Sequence, residues 1–235
     1  MSEYFDELET RSADQRAADL AKALPKQIAR AKAMSGYAGS LDDIDRDSII
    51  NAEALASLPV LRKSEIGAAQ TANPPFGGFA PASQAHYFQS PGPIYEPGGI
   101  SHDWWRSGRV MLAAGIRKGD IVQNCFSYHL TPAGMMFETG ARAIGASVLP
   151  AGTGQTELQA RAAHDIGVTA YAGTPDYLKI ILDKADEMGL TLKITKAAVG
   201  GGALFPSLRQ EYADRGIQCL QGYGTADLGS VAYES

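Results

Sequence analysis

Five short runs hold the residues best suited to chemistry: Ser127-Tyr128-His129, Ala151-Gly152-Thr153-Gly154, Gly173-Thr174-Pro175, Gly200-Gly201-Gly202 and Gly222-Tyr223-Gly224-Thr225-Ala226-Asp227. Each follows a short apolar run, and each is small, polar or aromatic. In an open parallel sheet, ligands bind beyond the carboxyl ends of the strands. Together the runs describe a crevice with accessible backbone, hydroxyls, aromatic faces and one carboxylate. Any one alone is also what a strand-to-helix loop needs for caps and left-handed positions; the full set favours a binding crevice. His129, beside Tyr128 at a strand end, is the strongest single candidate. His86, His102 and His164 read as structural or surface residues. The four histidines and two cysteines show no metal-ligand spacing. Trp104-Trp105, read as part of a helix starting at Ser101, suits a core or interface anchor.

Common nucleotide and nucleophile motifs are missing. No G-x-x-x-x-G-K-[ST] or G-x-S-x-G is present. Gly152-Thr153-Gly154 begins like a dinucleotide fingerprint, but Glu157 stands at the third glycine position.

The elements that must position these runs follow from pattern. Strands are expected at 121–126, 146–150, 168–171, 194–199 and 217–221, with helices between them. Thr131-Pro132 reads as a cap followed by Pro at the first helical position. Thr156-x-x-Gln159 and Ser12-x-x-Gln15 read as capping boxes. Thr174-Pro175 opens a helix with Leu178, Ile181, Leu182 and Ala185 on its apolar face; Pro206 opens the last, with Leu208 and Tyr212. Gly145, Gly167, Gly189 and Gly216 mark helix ends. Repeated strand–helix units predict an α/β fold with a mostly parallel sheet and flanking helices. Residues 1–66 are charged and helix-prone, with Leu20, Leu24, Ile28 and Ala31 on one face and Pro25 expected to kink or divide the helix. They are expected to form a helical hairpin or lid. From Ile66 to Tyr95 no Asp, Glu, Lys or Arg occurs; Pro, Gly and aromatics there predict short strands and ordered loops.

Composition bounds the function. Across 235 residues, 21 Lys and Arg against 26 Asp and Glu leave a net charge of −5, which argues against nucleic acid as partner. Two cysteines make neither a disulfide framework nor a zinc cluster. No apolar run is long enough for a membrane span, and no secretory leader is visible. These features predict a cytoplasmic protein with no membrane partner.

The ordered runs resemble the large N-terminal domain of adenylate-forming acyl-CoA ligases, specifically the phenylacetate–CoA ligase-like branch. Four segments carry the resemblance. The first is Leu58-Pro59-Val60-Leu61-Arg62-Lys63-Ser64-Glu65-Ile66. The second is Phe126-Ser127-Tyr128-His129 with Gly140 and Gly145-Ala146-Ser147-Val148-Leu149-Pro150. The third is Gly200-Gly201-Gly202-Ala203-Leu204 with Ser207-Leu208-Arg209. The last is Tyr223-Gly224-Thr225-Ala226-Asp227. The resemblance covers residues 58–235. It implies a helical segment at 1–66 and an incomplete α/β core at 67–235, without the C-terminal domain that bears the family's lysine. The reaction it implies joins a carboxylate to the α-phosphate of ATP with loss of pyrophosphate; the thiol of coenzyme A then displaces AMP. By resemblance, Tyr223 flanks adenine, Gly200, Gly201, Gly202 and Gly224 let backbone approach the nucleotide, and Thr225 offers a hydroxyl to phosphate. Asp227 takes the place of the glutamate that holds Mg²⁺. Tyr128 and His129 line the acyl and carboxylate side. The implied ligands are ATP, Mg²⁺, coenzyme A and an aryl or acyl carboxylic acid.

Departures accompany the likeness. Ser90-Pro91-Gly92-Pro93-Ile94-Tyr95-Glu96-Pro97 stands in place of the family's phosphate loop. Two prolines there remove N–H donors, and Glu96 occupies the lysine position, where a carboxylate would repel pyrophosphate. Gly202 replaces a glutamate, Ala226 a hydroxyl residue, and Asp227 is shorter than Glu by a methylene. Two readings follow: the N-terminal portion of an ATP-dependent acyl- or aryl-CoA ligase, not competent alone, or a non-catalytic acyl- or nucleotide-binding module. A third, weaker reading is an interaction protein using the acidic helical zone and the Trp pair. A sheet cut at this point would expose apolar surface and promote association, as in a homodimer.

Overall fold

The computed structural model describes residues 4–81 and 83–235; residues 1–3 and 82, within the charged and uncharged zones, lie outside the described residues. The chain forms two compact units, Asp6–Gly99 and Ile100–Ser235 with the extreme N-terminus.

In the first unit, α1 (Ala13–Lys32) begins with the expected capping box: the Ser12 hydroxyl accepts from Gln15 N at 3.1 Å, and the Gln15 side chain accepts from Ser12 N at 2.9 Å. Pro25 does not divide α1, which runs unbroken for 20 residues. Of the expected apolar face, Ile28 is buried and Leu20 is exposed. The uncharged zone does not begin with strands. The short α2 (Ala52–Ala56) is followed by α3 (Lys63–Ala72), and only then by an antiparallel hairpin, β1 (His86–Ser90) and β2 (Ile94–Gly98). The Gln70 side chain clamps α3 to β2, donating to Tyr95 O and accepting from Tyr95 N, each at 2.8 Å. That clamp holds α3 and the hairpin together within the first unit.

The second unit opens with a turn at 101–105, not a helix; α4 (Ser107–Ala113) starts six residues later than read. Asp103 ends that turn by accepting from Ser107 N (2.8 Å) and Gly108 N (3.0 Å), which satisfies two orphan donors of α4. Then follow β3 (Ile121–Asn124), α5 (Ala133–Ala143), β4 (Ser147–Leu149), α6 (Thr156–Ile166), β5 (Ala170–Gly173), α7 (Pro175–Glu187), β6 (Lys196–Val199), α8 (Pro206–Asp214), β7 (Gln218–Thr225) and β8 (Gly229–Tyr233). All five expected strands are present within a few residues. The six-stranded sheet has the order β4-β3-β5-β6-β7-β8; all pairs are parallel except β7–β8. The α/β fold with a mostly parallel sheet is as the pattern predicts.

Leu178, Ile181, Leu182 and Ala185 of α7 are buried, as their spacing requires, and Leu178 and Leu182 pack into a core with Val168, Tyr171, Ile194, Val199 and Tyr212. Each large side chain so buried contributes about 1.5–3 kcal/mol. Gly145, Gly167, Gly189 and Gly216 each follow a helix with positive φ. Two expected caps differ. Pro132, not Thr131, is the cap residue of α5, and the Thr131 hydroxyl donates to Ser127 O instead. Gln155, not a Thr156–Gln159 box, precedes α6, because the Gln159 amide is drawn into the sheet edge described below.

Candidate functional site

Consecutive connections leave β3 and β5 in opposite directions: β3 leads to β4 on one side, and β5 leads to β6 on the other. The carboxyl ends of these neighbours form the switch point at which open α/β sheets bind ligands. Four of the five chemistry-bearing runs follow the parallel strands as loops. The fifth is a strand: Gly222-Tyr223-Gly224-Thr225 belongs to β7, paired with β8.

Beyond β3, Phe126 stacks on Phe137 with centroids 4.1 Å apart. The Tyr128 ring lies so close to α5 that a Cβ at Gly134 would fall 2.7 Å from it; only glycine permits this approach. The Tyr128 hydroxyl accepts from Asn124 Nδ2 at 2.8 Å. Burial first, then the Glu138 carboxylate beside it, push this phenol well above its ordinary range. Tyr128 is therefore a neutral, anchored wall residue. His129 is exposed at the loop tip, its N–H donating to Ser127 Oγ at 3.2 Å.

The loop after β4 is held from beneath. Gly152 N donates to Asn124 O at 2.9 Å. The Gln159 amide donates to Ala151 O, Gly152 O and Gly154 O at 3.3, 3.0 and 2.8 Å, while its oxygen accepts from Gln123 Nε2 (2.9 Å) and Cys125 Sγ (3.2 Å). Burial pushes the Cys125 thiol up to about 12, so it serves as a neutral donor here.

The loop after β6 runs between the Phe126 ring and the loop after β5. Gly200 N donates to Gly173 O at 3.1 Å. Gly201 has φ +71°, a conformation that favours glycine. A Cβ there would contact both the Phe126 ring and the Thr174 methyl at 3.7 Å. Gln221 ties β7 to this loop, donating to Gly202 O at 2.9 Å and accepting from Leu204 N at 3.2 Å. Glu234 accepts from Gln221 N at 2.7 Å and pairs with Arg209 at 2.7 Å. Partial burial would raise its pKa, but these donors outweigh that and hold it low.

Tyr223 is 64% exposed on β7. Asp227 is exposed in the β7–β8 turn, where Thr225 Oγ1 accepts from Leu228 N at 3.1 Å. Arg106 donates to Leu228 O, and Ser230 N donates to Trp105 O at 2.9 Å, so buried Trp105 braces the hairpin. Exposed Trp104 and buried Trp105 thus part company. No group of three His, Cys, Asp or Glu that could hold a metal occurs among the described residues. Asp227 is a single exposed carboxylate, and Mg²⁺ takes one or two carboxylates and completes its shell with water and phosphate oxygens.

The structure thus joins Tyr128 to the Gly152 loop through Asn124 and leaves His129 exposed in the same loop as Tyr128, while Gly200–Gly202 are joined to Phe126, Thr174 and Gln221. Thr225 and Asp227 belong to a turn braced separately. Asn124, Gln159 and Gln221 escaped the sequence reading. The signal for the first was present: Gln123-Asn124 interrupts an apolar strand, and both residues are fully buried.

In the first unit, Glu96 does not project from its hairpin. It is buried, accepts from Ser90 Oγ at 2.6 Å and pairs with Lys63 Nζ at 3.2 Å. The expectation that it presents an open, repelling charge is corrected: Lys63 compensates the charge, and Ser90 shares the oxygen.

No family model matches the chain. Curated relatives do. The chain is 29% identical to phenylacetate–coenzyme A ligase of Aromatoleum evansii over 195 residues, covering 77% of this chain and 43% of that protein. It is 28% identical to the Pseudomonas putida enzyme of the same name, over 77% of this chain and 44% of that one. Among solved structures, 2-hydroxyisobutyryl-CoA ligase in complex with 2-HIB-AMP and CoA, in an open conformation, matches with a TM-score of 0.79 at 21% identity, over 91% of this chain and 51% of that chain. The same enzyme in its thioesterification state matches with a TM-score of 0.81 at 20% identity, over 96% and 52%. The chain spans less than half the length of these curated relatives. It is a homologue of the phenylacetate–coenzyme A ligases and has the fold of the adenylate-forming CoA ligases.

Proposed function

We propose that this chain is the acyl- and nucleotide-binding portion of an ATP-dependent aryl- or acyl-CoA ligase and does not complete the reaction alone. One observation supports the reading: the loops after β3, β4, β5 and β6 lie at the carboxyl ends of four adjacent parallel strands, on either side of the switch point between β3 and β5. In this reading Tyr128 and His129 line the acyl side, with Tyr128 neutral and His129 at the mouth. Gly200–Gly202 give the nucleotide a backbone floor. Tyr223 offers an exposed ring for adenine, and Thr225 a hydroxyl for phosphate. Asp227 would hold Mg²⁺, which supplies charge neutralisation at phosphate. Coenzyme A would enter as the second substrate and a small carboxylic acid as the first; the setting is cytoplasmic. The domain reading is kept as 1–66 helical and 67–235 α/β core.

The test is calorimetric titration with 5′-O-(N-phenylacetyl)sulfamoyladenosine, a non-reacting mimic of an aryl-adenylate, and with its acetyl counterpart. Micromolar binding of either, with no pyrophosphate released from ATP and phenylacetate, is the expected result. Absence of binding by both mimics would overturn the reading. The alternative, a binding module that never turns over, is favoured by the hairpin of the first unit, where Lys63 is committed to Glu96. It would gain if pyrophosphate release stayed absent in the longest form the cell makes.

A further inference from the structure

Asn124 is fully buried at the last position of β3. Its two amide hydrogens have two acceptors, Tyr128 Oη and Gly134 O, each at 2.8 Å. Its Oδ1 accepts from Phe126 N at 3.3 Å, and its carbonyl accepts from Gly152 N at 2.9 Å. One side chain and one peptide group thus fix the loop after β3, the first turn of α5 and the loop after β4. An amide is planar, so satisfying both acceptors sets the height of the Tyr128 ring as well as its direction. Gly134 leaves room for that ring and Gly152 lies beside it.

We propose that Asn124 is the positioning residue of the crevice, setting the Tyr128 wall against which the acyl group packs. The inference rests on the ligase-like reading of the site. Asn124→Asp keeps the size, removes both donors and puts a second carboxylate near Glu138. Amide exchange by mass spectrometry is expected to quicken at least tenfold in segments 126–134 and 151–154, with β5 and β6 unchanged. Affinity for the phenylacetyl mimic is expected to fall about tenfold or more, and for the acetyl mimic less than threefold. Tyr128→Phe should weaken the phenylacetyl mimic, and the double variant should be no weaker than Asn124→Asp alone, because the two residues act as one unit. Asn124→Ala replaces the aspartate variant if the latter does not fold. Uniform acceleration of exchange, or none, overturns the proposal; so do equal losses for the two mimics or additive effects. If the unaltered chain binds neither mimic, the ligase-like reading falls, while the exchange pattern still decides whether Asn124 positions these loops.

Discussion

Glu96 is a carboxylate with almost no water around it, and two neighbours make that tolerable. Ser90 donates to one oxygen and Lys63 pairs with the same one, while the Lys63 side chain remains 45% exposed. Glu96→Lys would bury a cation beside a second cation. It is expected to cost the first unit roughly 3 kcal/mol, since removing one partner of a buried pair leaves the other uncompensated; chemical denaturation of the unit measures it. An unchanged midpoint would mean that the hairpin rearranges around position 96. Asp227 is the opposite case, an exposed carboxylate whose worth depends on what it meets. Asp227→Ala is expected to leave folding unaltered and to abolish the Mg²⁺-dependent gain in ATP affinity, about fivefold or more in calorimetry. Equal affinity with and without Mg²⁺ in both forms would remove the metal role.

Three strands of the second unit start from one polar knot. Asp120 accepts from Arg117 N (2.7 Å), from Thr169 Oγ1 (2.9 Å) and from Lys196 Nζ (2.7 Å), and Thr169 Oγ1 accepts from Ile121 N (3.0 Å). Partial burial would raise the Asp120 carboxyl, but the Lys196 bond and the other donors outweigh it and hold the pKa low. A carboxyl lowered by folding contributes stability above its unfolded value near 3.8, and that contribution is lost as pH falls through the folded value. Asp120→Asn should therefore lose about 2 kcal/mol at pH 7 and show a shallower decline below pH 4 than the unaltered chain; parallel acid curves would deny the knot its role. Gln159 does the comparable work at the other end of the sheet. Gln159→Leu removes this donor from Ala151 O and Gly152 O, while Gly154 O keeps the Tyr177 hydroxyl, and should cost about 2–3 kcal/mol, read by thermal unfolding. The strand and helix order was legible because apolar runs, caps and terminal glycines agree along residues 121–221. What was not legible was tertiary. A Thr156-x-x-Gln159 pattern is locally a capping box, but three carbonyls of the loop after β4 engage the Gln159 amide instead of the helix start. The Tyr223 segment looked like a loop because its glycines suppress strand propensity, yet pairing with β8 overrides them. The loops at the strand ends were legible from their composition; the buried amides that brace them were not, because an isolated Asn or Gln in a strand or helix does not say which loop carbonyls and hydroxyls it will meet.

At the scale of the whole molecule, the sheet of the second unit closes on one side with β8, the last strand in its order. Beside it stand Tyr223, Leu228 and Val231, which are 64%, 62% and 53% exposed. No helix of the described residues is long and apolar enough to cross a membrane. An edge strand offers unpaired N–H and C=O groups, and apolar side chains next to it add area for a second strand to cover. The relatives, more than twice as long as the stretch aligned here, have further polypeptide beyond it. Taken as it is, the chain is expected to self-associate through this edge. A charge at the middle of β8 opposes strand addition at little cost to the fold, because Val231 already faces solvent. Sedimentation at tens of micromolar concentration should find a species heavier than one chain, and Val231→Lys should shift it toward a single chain without lowering the unfolding temperature. A concentration-independent monomer in the unaltered chain would show that the edge protects itself. Association that survives Val231→Lys would move the contact to another surface.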